Sequence, residues 1–169
     1  MPPTPSDDRD EALRRAQTFV VNSLGARAQS VAEIEAKLAR RGVAADVAVE
    51  VLDAAVRLGY LNDEELAAQL ARASRARRHG RARAARELRR RRLGEPELEA
   101  ALESAYADVD EAELAAAALG SRPSRDPREC RRAVAYLVRR GYSTGVAWQV
   151  IRSRGEDGGA NDPPPYSSR

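Results

Sequence analysis

The chain has 169 residues, of which 33% are charged and 4% aromatic, and 29 basic against 26 acidic residues give a formal net charge of +3. A single cysteine and a single histidine exclude a disulfide framework and argue against a metal site or a catalytic triad. Apolar runs stay short of the roughly 20 residues that a membrane helix needs, and the N-terminus lacks the pattern of a signal peptide. Nucleotide-binding and hydrolase motifs are also missing. We therefore expect a non-enzymatic cytoplasmic protein that binds no metal, cofactor or membrane.

The predicted elements are helices flanked by two tails. Residues 1–8 are rich in proline and aspartate, and residues 156–169 are rich in glycine, proline and polar side chains, so we expect a disordered tail at each end. Between the tails, apolar residues recur with helical periodicity, and alanine, leucine, arginine and glutamate dominate. Capping patterns predict that helices begin next to Ser30, Asn62 and Asp126. The sequence therefore predicts an all-α fold.

An internal repeat organises these helices. The segments at residues 38–43 (LARRGV), 88–93 (LRRRRL) and 137–142 (LVRRGY) align at offsets of 50 and 49 residues. Each repeat is predicted as two helices, a tight turn and a third helix. A unit of this size buries too little surface to be stable alone, so we expect the units to pack in an elongated tandem array. The three predicted three-helix units span residues 9–60, 61–107 and 108–155.

Glycines mark where helices end. Gly42 and Gly141 stand where a helix C-terminus favours a left-handed residue, and Gly59 ends another helix. The middle repeat has Arg92 at the position of the turn glycine. We therefore expect its turn to be built differently.

The small net charge hides a segregation of charge within the middle repeat. Residues 72–92 hold eleven arginines and one acid, a net +10, whereas residues 94–121 hold eight acids and no basic residue, a net −8. This density favours binding of a polyanion, either nucleic acid or an acidic protein surface. The alternative is a solvated face, partly neutralised by the acids that follow. The candidate binding residues are Arg72, Arg75, Arg77, Arg78, Arg81, Arg83, Arg86, Arg89 and Arg90.

Four isolated residues allow narrower predictions. Trp148 either fills the core of the third unit or stands half-exposed as an anchor for a partner. Cys130 aligns with an apolar position of the first unit, which favours core packing over a reactive thiol. We expect His79 in a loop and Tyr60 packed at the junction of the first two units.

Several of these segments together resemble a known family. The segments are EIEAKLARRG at 33–42, GYLNDEELA at 59–67, RRHGR at 77–81, EL at 87–88 and LVRRGY at 137–142. With them the chain resembles the RecX family of bacterial recombination regulators over most of its length. The resemblance implies tandem three-helix units in a curved rod. It also implies binding to RecA in the groove of the RecA–DNA filament, where the family modulates, mainly by inhibition, ATP hydrolysis, strand exchange and co-protease activity.

Two functions follow from these observations. The first is a monomeric regulator that binds RecA and its filament on single-stranded DNA and contacts DNA phosphates secondarily. The second is direct, non-sequence-specific DNA binding through the arginine-rich middle unit, which would be strongly salt-dependent. The basic block contains no aromatic residue for base stacking, and the third helices carry acids such as Asp46, Glu50 and Glu99, which argues against DNA recognition by those helices.

Overall fold

The computed structural model describes residues 5–122 and 126–159, and these residues form nine α-helices and no strand. The prediction of an all-α protein is thereby confirmed. The helices are α1 (Pro5–Ala26), α2 (Val31–Arg40), α3 (Ala45–Arg57), α4 (Asp63–Ala76), α5 (Arg81–Arg90), α6 (Glu95–Tyr106), α7 (Glu111–Leu119), α8 (Pro127–Arg139) and α9 (Thr144–Gly159).

The two terminal helices extend into the segments that we expected to be tails. Helix α1 begins at Pro5 and α9 ends at Gly159, so residues 5–8 and 156–159 are helical. Proline and acidic residues are favoured in the first turn of a helix, which explains why the start of α1 tolerates them. The remaining parts of the predicted tails, residues 1–4 and 160–169, lie outside the described residues.

The chain forms two compact bodies. The N-terminal body contains the described residues up to Ala71 together with Arg86–Ser104, and the C-terminal body contains Arg72–Ala85 together with the described residues from Ala105. Helices α4, α5 and α6 each pass from one body to the other. The two inner boundaries of the predicted units fall between helices, the outer ones at residues 9 and 155 fall within α1 and α9, and α4, α5 and α6 of the middle unit belong to both bodies.

The core of the N-terminal body forms where α1, α2 and α3 pack together. Ile34 and Leu38 on α2 are fully buried and lie four residues apart, on one side of the helix. Burial of each such side chain is worth about 1.5–3 kcal/mol. The buried residues of this cluster are Ala16, Val20, Ile34, Leu38, Val47, Ala48, Val51, Leu52, Ala55 and Leu61.

The core of the C-terminal body forms among α7, α8 and α9. Leu119 and Leu137 are fully buried, and Tyr142 closes the cluster after the turn. Cys130 and Trp148 are half-buried and pack against the same cluster. Core packing of Cys130 is therefore confirmed, and Trp148 contributes part of its surface to this core.

The predicted caps are present at all three helix starts. Ser30 and Glu33 form a capping box, in which the Ser30 hydroxyl accepts from the Glu33 N–H at 3.1 Å and the Glu33 carboxylate accepts from the Ser30 N–H at 3.1 Å. Asn62 accepts a hydrogen bond from the N–H three residues on at 2.9 Å. Asp126 accepts from two N–H groups of α8, at 2.7 and 2.8 Å. Local sequence thus sets where these helices begin.

The turns of the three repeats each contain a residue with positive φ. Gly42 has φ +72° and Gly141 has φ +96°, as predicted for left-handed caps. Arg92 has φ +54°, so the middle turn keeps a left-handed residue, but it differs in one bond: the N–H groups of Val43 and Tyr142 donate to the carbonyl five residues back at 3.2 Å, and Leu93 forms no such bond. The Arg92 N–H bonds the carbonyl three residues back at 2.9 Å, as the two glycines do at 3.0 Å. For a residue with a side chain, this conformation lowers the stability of the fold by about 1–2 kcal/mol. The packing of the helices on either side of the turn must offset this loss.

Two of the isolated residues are placed differently from our expectation. The Tyr60 side chain is 64% exposed, because the next residue, Leu61, is 2% exposed and occupies the buried position of this turn. His79 lies in a loop as expected, but it is buried, and its Nδ1 is 3.1 Å from the Ser74 hydroxyl. A buried ring held in this way is not available to a phosphate.

Candidate partner-binding surface

The structure separates the arginines of the basic block by position and by body. Those up to residue 85 belong to the C-terminal body, and those from residue 86 belong to the N-terminal body. Helix α4 carries Arg72 and Arg75, the turn after it carries Arg77 and Arg78, α5 carries Arg81, Arg83, Arg86, Arg89 and Arg90, and the next turn carries Arg91 and Arg92.

In the C-terminal body, two candidate arginines bind the ends of helices. The Arg75 guanidinium donates to the Ala105 carbonyl at 3.1 Å, and the Arg78 guanidinium donates to the Ala117 carbonyl at 3.0 Å. These carbonyls lie in the last turns of α6 and α7, where the helix leaves its carbonyls without intrahelical partners and carries partial negative charge. Both side chains therefore have structural roles in addition to any binding role.

The other candidates of this body also differ in their surroundings. Arg72, Arg81 and Arg83 take part in interactions within the chain. Arg83 is half-buried. Its backbone packs closely against Gly141, since a Cβ added to Gly141 would lie 2.4 Å from the Arg83 nitrogen. The Arg77 side chain is exposed, and within residues 5–122 and 126–159 it has no hydrogen-bond or ion-pair partner.

In the N-terminal body, α5 presents one paired and two unpaired guanidinium groups. Arg89 forms a bidentate ion pair with Glu95, with N–O distances of 2.9 and 3.1 Å, and the pair lowers the pKa of Glu95 and raises that of Arg89. Arg86 and Arg90 are exposed and pair with none of the described residues. They lie four residues apart, so both project from one side of α5.

Glu33 forms ion pairs with two arginines of the N-terminal body. Its carboxylate accepts two hydrogen bonds from Arg91 at 3.0 Å and two from Arg27 at 3.1 and 3.4 Å, and only 14% of its side chain is exposed. Burial raises its pKa, but the hydrogen bonds from Arg91, Arg27 and the Ser30 N–H outweigh burial and lower the pKa to about 2. Arg91 is therefore committed to the fold, although it lies within the basic block.

Arg91 also defines a joint between repeats, which we call the arginine joint. Its guanidinium donates to the Ala28 carbonyl at 2.6 Å, in the loop before α2, and its own carbonyl accepts from the Ser30 hydroxyl at 2.6 Å. The turn after the second helix of one repeat thus binds the loop before the second helix of the preceding repeat.

The C-terminal body contains a second arginine joint. Arg140, the residue that aligns with Arg91, donates to the carbonyls of Arg77 and Arg78, the latter at 3.2 Å. Its own carbonyl accepts from the Gly80 N–H at 2.9 Å, and the Tyr142 hydroxyl donates to the Arg78 carbonyl at 2.9 Å. Sequence reasoning missed both joints, although the repeat alignment places an arginine at this position three times.

A second basic site was also missed, because its residues are spread over two helices and a turn. It consists of Phe19, Lys37, Arg40 and Arg41, which line a shallow depression of about 350 Å³ in the N-terminal body, and we call it the basic socket. The Arg41 guanidinium lies over the Phe19 ring, 4.0 Å from its centroid. A guanidinium stacked in this way retains its in-plane N–H donors for a carboxylate, a phosphate or a carbonyl.

Apolar side chains are also exposed on α3 and just after it. Val49 and Val56 on α3 and Leu58 and Tyr60 after it are 48–66% exposed. Trp148 is half-buried, and its role as a partner anchor stays a prediction.

Across the described ranges, no group of three histidine, cysteine or acidic side chains is placed to hold a metal, and no helix is long and apolar enough to cross a membrane.

Comparison with known proteins places these features in a family. A family model described as the first three-helix domain of RecX matches residues 16–53. Among solved structures, RecX from Lactobacillus salivarius superposes with a TM-score of 0.74 over 85% of this chain and 97% of that one, at 17% identity. A second RecX crystal structure gives a TM-score of 0.72 over 88% of this chain and 75% of that one, at 18% identity. These two structures share the fold.

Curated relatives match at higher identity. The regulatory protein RecX of Mycolicibacterium vanbaalenii is 31% identical over 160 residues, which cover 88% of this chain and 87% of the relative. That of Deinococcus radiodurans is 35% identical over 153 residues, which cover 88% of this chain and 72% of the relative. Identity at this level over most of both chains confirms the resemblance seen in the sequence: the chain belongs to the RecX family of regulatory proteins.

Proposed function

We propose that this RecX-family regulator binds RecA and its filament on single-stranded DNA, and that it inhibits ATP hydrolysis, strand exchange and co-protease activity without chemistry of its own. In this proposal it acts as a monomer, with DNA phosphates as secondary contacts. The observation that carries the proposal is the pair of exposed guanidinium groups on α5, Arg86 and Arg90, to which the described residues offer no acid.

The repulsion between the two guanidinium groups lowers the stability of the protein. Their retention therefore favours a role in binding an external partner. Like charges four residues apart on a helix are destabilising by about 0.2–0.5 kcal/mol. Acids are abundant in the same body, and Glu95 neutralises the neighbouring Arg89. Guanidinium groups that stay unpaired beside such a supply of acids are suited to bidentate binding of carboxylates or phosphates on another molecule.

The experiment is an ATPase assay of RecA on single-stranded DNA with this protein added at stoichiometric levels. We expect the wild type to slow ATP turnover and the variant Arg86→Glu/Arg90→Glu to lose most of this effect. The matched control is Arg57→Glu/Arg139→Glu, which makes the same change of charge at two exposed arginines outside α5. Circular dichroism should show equal helix content in all three proteins.

Direct DNA binding is the second candidate function, because the same guanidinium groups fit phosphates. It requires tight binding of bare single-stranded DNA at physiological salt, with an affinity that falls steeply as salt rises. If the wild type binds bare DNA in this way and leaves RecA turnover unchanged, the regulatory proposal is wrong. If Arg86→Glu/Arg90→Glu inhibits as well as the wild type does, the assignment to α5 is wrong.

A further inference from the structure

The repeats place an arginine before the turn three times, and within residues 5–122 and 126–159 two of the three bind a loop. Arg91 and Arg140 each donate to backbone carbonyls of a loop that leads into a helix, and Arg91 also binds a carboxylate in the first turn of that helix. Arg41 occupies the same position in the first repeat.

Arg41 is instead held in place by an aromatic ring. It caps the C-terminus of α2, and its guanidinium carbon lies 4.0 Å from the centroid of the Phe19 ring of α1. None of the described residues accepts a hydrogen bond from this guanidinium. The ring contact restricts the guanidinium while Arg41 stays exposed, which lowers the entropy lost when a partner binds.

The surroundings of Arg41 are positively charged. Lys37 is half-buried, and its ammonium group bonds only neutral groups among the described residues, the Ser23 hydroxyl at 2.9 Å and the Gln29 side-chain carbonyl. Arg40 is exposed, and no described acid pairs with it. A second depression, of about 490 Å³, shares Phe19 and Arg41 as lining residues and continues to the turn after α2. Three cations thus line a concave surface without a carboxylate among them.

We propose that the basic socket binds an acidic protein segment, namely a loop with accessible carbonyl groups that leads into a helix with a glutamate or aspartate in its first turn. The two arginine joints show the chemistry that this position selects, and the three uncompensated cations supply the charge complementarity. The inference rests on the proposed function in that RecA would supply the segment. It adds a second contact surface, separate from Arg86 and Arg90 on α5.

The test compares binding to the assembled filament with binding to bare DNA. RecA filaments formed with a slowly hydrolysed ATP analogue on immobilised single-stranded DNA are one target, and the same DNA without RecA is the other. The variants are Arg40→Glu/Arg41→Glu and the control Arg57→Glu/Arg139→Glu. We expect the first variant to bind the filament about tenfold more weakly than the control does, because two cations become repulsive at an acidic surface, and to bind bare DNA within about twofold of it.

Further variants separate binding from folding. Arg40→Glu alone changes an exposed side chain that has no described partner, so it should keep wild-type stability and weaken filament binding about threefold. Arg41→Lys keeps the charge but loses the planar donors, and it should bind the filament more weakly than the wild type.

Each other outcome overturns the inference. Equal weakening on filament and bare DNA would identify the occupant as nucleic acid, and unchanged filament binding by Arg40→Glu/Arg41→Glu would show that the socket is not a contact surface. Failure of the proposed function looks different, because the wild type itself would then not bind the filament.

Discussion

Replacing Glu33 by glutamine should remove an acid-sensitive part of the stability of the N-terminal body. The hydrogen bonds to Arg91, Arg27 and the Ser30 N–H lower the pKa of Glu33 from 4.5 to about 2. Each pKa unit corresponds to about 1.36 kcal/mol, which gives an upper bound of about 3 kcal/mol. Because the Arg27 side chain is half-exposed and screened by solvent, we expect about 2 kcal/mol.

The sign of the pH dependence follows from the direction of the shift. A carboxyl whose pKa is lower in the folded state stabilises the fold above the pKa of the unfolded chain, and this stabilisation is lost as the pH falls through the folded value. The contribution of Glu33 is therefore complete above about pH 5 and disappears towards pH 2. At low pH the protonated acid resembles glutamine, so the wild type and Glu33→Gln should converge.

The assay is urea denaturation followed by circular dichroism at several pH values between 7 and 2. We expect Glu33→Gln to be less stable than the wild type by about 2 kcal/mol at pH 7 and the difference to shrink steadily on acidification. Glu95→Gln is the control, because Glu95 also pairs with an arginine but is 59% exposed, and it should cost little at any pH. A difference between Glu33→Gln and wild type that stays constant from pH 7 to pH 2 would refute the assignment of the pKa.

Three further predictions concern the turns, each measured as the free energy of unfolding in urea. Gly42→Ala should lower the free energy of unfolding by about 1 kcal/mol, because only the positive φ opposes the new side chain. Gly141→Ala should lower it by about 3 kcal/mol, because its Cβ would also lie 2.4 Å from the backbone of α5. Equal losses of stability would contradict the close packing at Gly141. Arg92→Gly should stabilise the protein by about 1 kcal/mol, whereas Arg92→Ala, which keeps the strain, should not. Tyr142→Phe should cost about 1 kcal/mol through loss of the hydrogen bond to the Arg78 carbonyl, and a neutral effect would show that this bond contributes nothing.

Most of the fold could be predicted because its signals are local. The cap at Ser30 needs only a glutamate three residues on, and the ends at Gly42 and Gly141 need only a residue that tolerates positive φ. Arg92 shows the limit of this reasoning. The left-handed conformation there is imposed by helices packed on both sides of the turn, so a residue with poor intrinsic preference adopts it.

The roles of the arginines were harder to predict because they depend on the tertiary fold. In the sequence alone, Arg75, Arg78 and Arg86 are equivalent members of one basic block. In the structure the first two donate to carbonyls near the ends of α6 and α7, whereas Arg86 faces solvent. A helix C-terminus carries the equivalent of about half a negative charge, so an arginine can pair with it as it would with an acid. A count of acidic residues does not include this partial charge. Net charge therefore overstates how much positive charge is available to a partner.

The arginine before each turn links folding to binding in this protein. At Arg91 and Arg140 it binds a loop of the preceding repeat and so helps to join repeats within each body. The same side chain at Arg41 binds no loop of the described residues, and it lies over the Phe19 ring in a site rich in cations. The exposed Arg41 of the first unit is therefore the group that, in the inference above, an acidic loop of the partner contacts.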